Sequence, residues 1–347
     1  MKSLIFIFCI LIILFKTGNV FSENNLFNVN NIEIIKKTSK NTQEIANVAF
    51  KKAFDNLTKR LLIKNDYKDL SNTNLAEIKK LISYYQIVEP EESEKETKKY
   101  IFNVYFDKDR MHNFFYNKNI LYSDIIDTEV VLFPLFKKEN QYFIYTKNYF
   151  YENWNNVTLD NLIQYTLPVE SIENIEKINL HKNNIFNLDI SDFFKEYDVD
   201  NIVFASIEIT DKSAQVFLNT RIEGKKINKK LSFDKKDFNL IDFNNYIIIE
   251  INNKIRDLIK SQNLIDVRTP SFLNVKIELK NKDNLVRFNN RLQKIDLINN
   301  FYVQQLNKDY ALVKIKYLGK IDKIINKLKE QKINLKLIKG QWLLNII

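Results

Sequence analysis

The chain has 347 residues and a formal charge of +10, with only 4 Gly, 4 Pro, 1 Cys and 2 His. So few glycines exclude a Gly-rich phosphate cradle, a dinucleotide fingerprint and a G-x-S-x-G nucleophile elbow; two histidines sixty-nine positions apart leave no H-E-x-x-H, and one cysteine excludes Cys-based zinc sites. A 45% hydrophobic and 13% aromatic content is enough for packed cores, while 47 Asn with abundant Lys and Ile fit the codon bias of an AT-rich genome.

The first residues read as an export leader. Met1-Lys2-Ser3 is a short basic start, Leu4 to Phe15 is an unbroken apolar run, and Lys16 to Asn19 end it. Such a run is short of the ~20 residues needed to span a bilayer but matches a secretory h-region. Val20 and Ser22 occupy the −3 and −1 positions of a cleavage site before Glu23. Cys9 lies in mid-run without the small residue that precedes a lipidated cysteine. The expectation is a signal peptide over residues 1–22 and a periplasmic mature protein, with an uncleaved membrane anchor as the lesser alternative.

Residues 23–122 form the first expected domain. Ile32 to Ile35 is a strand candidate, and Ile45, Val48, Ala49, Ala53, Leu57 and Leu61 keep helical spacing. A shorter helix is expected over Leu75 to Ser83, and strands over Tyr85 to Val88 and Tyr100 to Phe106. Glu89 to Lys99 reads as a charged hairpin loop. Residues 123–268 form the second. Val130 to Phe136 and Ile202 to Ile209 read as strands buried on both faces. Thr158 to Tyr165 and Asp189 to Tyr197 are expected as helices. Gln215 to Ile222 and Lys226 to Phe233 should pair around Glu223-Gly224-Lys225, and Phe243 to Ile259 should close the domain as an amphipathic helix.

Residues 269–347 form the third. Strands over Phe272 to Leu279, Phe301 to Leu306, Tyr310 to Leu318 and Leu335 to Ile338 alternate with helices around Leu285 to Ile295 and Ile321 to Leu328, and Trp342 to Ile346 adds a short strand. That order predicts a ferredoxin-like βαββαβ domain. The whole is expected to be α+β, three mixed α/β domains after a signal peptide.

The whole net excess of charge belongs to the last domain. Ser271 to Ile347 holds 16 basic and 6 acidic residues, whereas the other 270 residues hold 37 of each. Period-two alternation puts Val275, Ile277 and Leu279 on one face of the first strand and Lys276, Glu278 and Lys280 on the other. The third strand splits likewise, with Lys314 and Lys316 outward. The helices add Arg287, Arg291 and Lys294 on one stripe and Lys320, Lys323 and Lys327 on another. Such a field attracts acidic proteins, phosphate groups or anionic lipid headgroups. Lysine placed on any solvated face by a lysine-rich genome is the plainer explanation, yet the other domains share that genome and are balanced.

Other chemistry is less supported. RNA-recognition domains share the ferredoxin-like order, but the K/R-G-F/Y-G/A-F-V-x-F/Y pattern is absent, so no nucleic acid is expected. His112 reads as a half-exposed helix residue, and His181 has no partner in sight. Glu170, Glu173 and Glu176 read as solvated acids.

The order of segments resembles an uncharacterised family of exported proteobacterial proteins, domain of unknown function number 2066. Thr42 to Leu62, with Ala46, Ala49 and Ala53, is similar to its alanine-rich first helix, and Tyr100 to Asp107 to its "Y…V-x-F-D" strand. Val130 to Pro134 resembles its "V-L-V-L-P" strand, Leu167 to Glu170 its "L-P-L-L-D" step, and Tyr197 to Ile209 its "Y-x-A-D-x-I-L-x-G" strand. Glu152-Asn153-Trp154 stands where that family often has Asn-Pro-Trp, and Ser206 where it has glycine. The resemblance implies a Gram-negative periplasmic setting and carries no catalytic residues.

The functional expectation is an exported, non-enzymatic, cofactor-free binding or scaffolding factor. Its basic C-terminal domain would dock an acidic envelope protein or an anionic membrane surface. The alternatives are a periplasmic hydrolase using a carboxylate pair, and a small-ligand sensor domain with an apolar pocket in the middle segment.

Overall fold

The computed structural model describes residues 26–35, 42–88, 99–125, 127–139, 141–158, 162–182, 185, 190–279 and 284–346. The expected leader, most of the charged stretch from Glu89 to Lys99, and Lys280 lie outside the described residues. The protein is mixed α and β, and its chain divides into two compact units. One comprises Met1–Leu57, Thr73–Asn117 and Pro270–Ile347; the other comprises Thr58–Asn72 and Lys118–Thr269.

In the first unit, β1 (Asn28–Ile35) and β2 (Ile82–Val88) flank β3 (Lys99–Phe106) in an antiparallel sheet. Helix α1 (Thr42–Leu61) buries Ile45, Ala46, Ala49, Phe50, Ala53, Phe54 and Leu57, the spacing of one helical face. After α2 (Lys64–Leu70), α3 (Leu75–Leu81) is capped by Asn74, whose side chain accepts from the Glu77 amide. Helix α4 (Lys108–Lys118) brings Phe114 against Phe54, ring centroids 5.9 Å apart. His112 is 6% exposed, not half-exposed as its sequence position suggests. Met111, Phe114 and Phe115 flank it on a wide buried face, and its ring meets Phe27 edge-on at 5.6 Å.

The second unit is built on a six-stranded sheet. Strands β5 (Thr128–Lys138) and β8 (Ile202–Ile209) run parallel at its centre. β9 (Ser213–Ile222) and β10 (Lys225–Asp234) extend one side, and β6 (Gln141–Phe143) and β7 (Ile163–Thr166) pair with β5. Alternate residues of β5 feed two cores. Val130 and Leu132 join Phe150 and Trp154 of α5 (Tyr149–Val157) and the apolar stripe of α7 (Leu240–Gln262). Val131, Phe133 and Leu135 join Ile178 of α6 (Ile172–His181), Phe193 and Phe204. A short antiparallel pair links β4 (Tyr122–Ser123) to β11 (Leu264–Ile265).

Two sequence expectations fail in this unit. The helix expected over Thr158 to Tyr165 gives way to β7, which pairs in parallel with β5 from Thr128↔Ile163 to Val131↔Thr166. The Leu-Asp-Asn-Leu-Ile spacing fits a helix, but the β5 edge supplies backbone partners that local pattern cannot show. The helix expected over Asp189 to Tyr197 is only a 3-10 turn at Ile190–Phe193. Asn148 orders the neighbouring loop. Its amide donates to Pro134 O at 2.8 Å and Ile144 O at 2.7 Å, while its side-chain oxygen accepts from the amides that open α5.

The C-terminal part of the first unit has β12 (Ser271–Glu278), α8 (Asn284–Leu292), β13 (Ile298–Leu306), β14 (Tyr310–Tyr317), α9 (Ile321–Glu330), β15 (Ile333–Ile338) and β16 (Gln341–Ile346). The five strands lie in the order β13-β14-β12-β16-β15. The last strand is therefore not an appendage. It inserts between β12 and β15, parallel to β12 from Val275↔Trp342 to Ile277↔Leu344. In a ferredoxin-like sheet the fourth strand, here β15, would hold that position.

Candidate functional site

The C-terminal sheet has one packed face and one open face, fixed by alternation. Leu273, Val275 and Ile277 of β12 and Ala311, Val313 and Ile315 of β14 are buried. Phe288 and Leu292 of α8 and Ile324 and Leu328 of α9 are buried as well. Phe288 meets Phe301 of β13 edge-on at 5.5 Å.

The intervening residues face outward: Phe272, Asn274, Lys276 and Glu278 on β12, and Tyr310, Leu312, Lys314 and Lys316 on β14. The antiparallel register sets Phe272 opposite Lys316 and Asn274 opposite Lys314, and Lys276 opposite Leu312. On β13, Asn300 lies opposite Lys316 and Tyr302 opposite Lys314. On the other side, Leu343 of β16 stands between Lys276 and Lys336 of β15. The face thus runs across all five strands.

Its cations lie along the sheet instead of projecting from it. Lys276 Nζ sits 4.3 Å from the centroid of the Tyr310 ring, and Lys314 Nζ sits 4.3 Å from that of Phe272. Each contact is a cation–π pair worth ~0.5–1 kcal/mol at an exposed site. The aliphatic stems cover sheet surface, so Lys276, Lys314 and Lys316 are half-buried while their charges stay at the water boundary. Phe272 is 50% exposed and Tyr302 49%.

The sheet brings Lys276, Lys314 and Lys316 together. The six basic residues of the helices belong to the layer on the opposite side. Arg287 and Lys294 are exposed there, and Arg291 Nη1 donates to Lys332 O at 2.7 Å. Lys320 occupies the N-cap position of α9 without a side-chain cap bond, Lys323 lies in the first turn, and Lys327 pairs with Glu330 at 2.9 Å. The nine described residues of the ten predicted therefore do not form one surface. Sequence reasoning missed Phe272, Tyr302, Tyr310 and Lys336. The first and third were available from the same alternation that places Lys276 and Lys314, since each lies an even number of positions away. Lys336 was not, because the insertion of β16 decides its place.

Among the described residues, no group of three or more His, Cys, Asp and Glu could hold a metal ion. Glu173 is paired with Lys177 at 2.6 Å, and this partner holds its carboxyl below the usual range. His181 Nδ1 lies 2.9 Å from Lys177 O. No described helix is long and apolar enough to cross a membrane.

No protein-family model matches the chain, and no curated protein matches it. Among solved structures, it is similar to the crystal structure of a lipoprotein from Neisseria meningitidis, at 10% identity and a TM-score of 0.22. The match covers 37% of this chain and 97% of that one.

Proposed function

We propose that this protein is an exported, non-enzymatic binding factor of the bacterial envelope that docks an acidic protein surface through the open face of its C-terminal sheet. The reading takes the leader as a periplasmic export signal and residues 269–347 as a ferredoxin-like variant, the third of three domains. The observation that supports it most is the interleaving of lysines with exposed aromatic rings: Lys276 with Tyr310, Lys314 with Phe272, and Tyr302 beside them. Aromatic side chains give a contact surface with little conformational entropy to lose, and the lysines select an acidic partner. Asn274 and Asn300 supply polar contacts between them. This mixture suits a folded protein surface better than a bilayer, which is engaged by apolar side chains inserted beneath a basic rim.

The test uses the full mature chain and the triple reversal Lys276→Glu, Lys314→Glu and Lys316→Glu. Binding is measured to poly-L-glutamate, to phosphatidylglycerol vesicles and to a single-stranded oligonucleotide. The expected result is salt-sensitive binding to poly-L-glutamate that falls at least tenfold in the reversal variant, with weaker binding to the other two. A preference for vesicles or oligonucleotide, or a reversal variant that binds like the wild type, overturns the reading.

A further inference from the structure

The second unit carries a cleft of about 430 Å³ between the edge strand β10, helix α7 and the start of α2. That volume lies within the ~300–1,000 Å³ range of small-molecule sites. Its apolar floor is Leu231 and Phe233 of β10, with Ile63 and Leu258. Its rim is charged, and the charges divide into committed and uncommitted groups.

The acids are committed. Glu250 accepts from Lys64 Nζ at 2.8 Å and from the Asn253 amide at 3.2 Å. Asp257 accepts from the Lys64 backbone amide at 3.0 Å. Two cations are not: among the described residues, neither Lys229 nor Lys254 has an ion-pair or hydrogen-bond partner. Both are held toward the cleft by their elements. Lys229 stands in the two-residue repeat of Ile227, Leu231 and Phe233, the apolar side of β10, and Lys254 falls between Glu250 and Asp257 on the cleft-facing stripe of α7. An inward-pointing lysine can also protect a free sheet edge from pairing. That role does not require a second uncommitted ammonium on the facing helix.

We propose that this cleft binds a small amphipathic anion, a molecule with one carboxylate or comparable head group and an apolar body. The head group lies between Lys229 and Lys254, and the body lies on Leu231, Phe233 and Leu258. The site is separate from the basic sheet face and does not depend on its function.

The probe is decanoate, with decyltrimethylammonium as the cation of similar apolar body, each titrated calorimetrically into the full mature chain. The variants are Lys229→Met with Lys254→Met, and Lys276→Met with Lys314→Met and Lys316→Met; circular dichroism checks that each folds. The expected result is saturable binding of one decanoate, no comparable binding of the cation, and at least a tenfold loss in the Lys229/Lys254 variant alone. Should that variant misfold, Lys254→Gln is to show at least a threefold loss. No saturable decanoate binding, equal binding of the cation, or a loss confined to the sheet-face variant overturns the proposal.

Discussion

Burial sets the chemistry of two ionisable side chains. His112 is pushed down to about 4, chiefly because its ring is desolvated and secondarily because of the nearby Lys108 charge. An unfolded chain holds its histidine near the ordinary ~6.5, so between these values the unfolded state binds the extra proton. Stability from neutral His112 is therefore complete above ~6.5 and is lost as pH falls toward 4. The full loss is ~3 kcal/mol, at 1.36 kcal/mol per pKa unit. His112→Leu removes that proton linkage. Urea unfolding at pH 7 and pH 4.5 is expected to show a larger drop for the wild type than for the variant; equal drops would contradict it. Lys260 follows the same logic. It is 3% exposed and is pushed down to about 7, by burial first and then by Arg256, while its Nζ donates to Lys59 O and Leu62 O near the C-terminus of α1. A buried lysine facing two carbonyls caps a helix end, and nothing in the spacing of the sequence pairs those positions.

Hairpins and helices with strong local signals were legible; pairings between distant strands were not. The β9–β10 hairpin shows the first case. Glu223 and Gly224 both take positive φ, 47° and 76°, as a two-residue type I′ turn requires, and the strands pair without slip from Ile222↔Lys225 to Ser213↔Asp234. A Cβ at Gly224 would meet nothing within 4 Å, so space does not select glycine there; the backbone does. Gly224→Ala is expected to cost ~1 kcal/mol through φ strain alone and to lower the melting temperature by a few degrees. An unchanged melting temperature would show that the turn relaxes to another type. The second case includes β7 and β16. Residues 163–166 have helix-compatible spacing, and their strand state depends on an edge of β5 that lies more than thirty residues away. The order β12-β16-β15 likewise depends on a parallel pairing that neither strand encodes. The candidate face was half-legible for the same reason. Alternation within a strand placed Lys276, Lys314 and Lys316 outward, whereas adjacency across β16 determined that Lys336 joins them.

The chain returns to its first unit at the end: residues 270–347 cluster with the N-terminal sheet after an insertion of about 150 residues. Named contacts span the two parts. The Leu26 amide donates to Asp296 Oδ2 at 3.3 Å, and Lys108 Nζ donates to Ile298 O at 2.8 Å. Lys108 is half-buried, and the desolvation lowers its pKa, while the nearby Asp296 and Asp109 oppose that shift. A half-buried ammonium that donates to a carbonyl across the two parts loses that partner if either side opens, and the partly desolvated charge makes the loss costly. Cooperative units in folded proteins follow such spatial ties and not chain order. Truncating Phe288, fully buried beneath β13, removes ~3–5 kcal/mol of core packing from the C-terminal part. If the two parts form one cooperative unit, Phe288→Ala lowers hydrogen-exchange protection in β1 and β3 along with β12 and β14, while β5 and β8 serve as an internal reference. Loss confined to residues 270–347 would show that the C-terminal sheet opens alone. In that case the basic face would be carried by an independent module, and the net excess of charge at one end of the sequence would correspond to one separable body. Loss shared with β1 and β3 would mean that docking at the basic face is felt by the N-terminal sheet, since any ligand of the native face stabilises the whole cooperative unit by the same mass-action term.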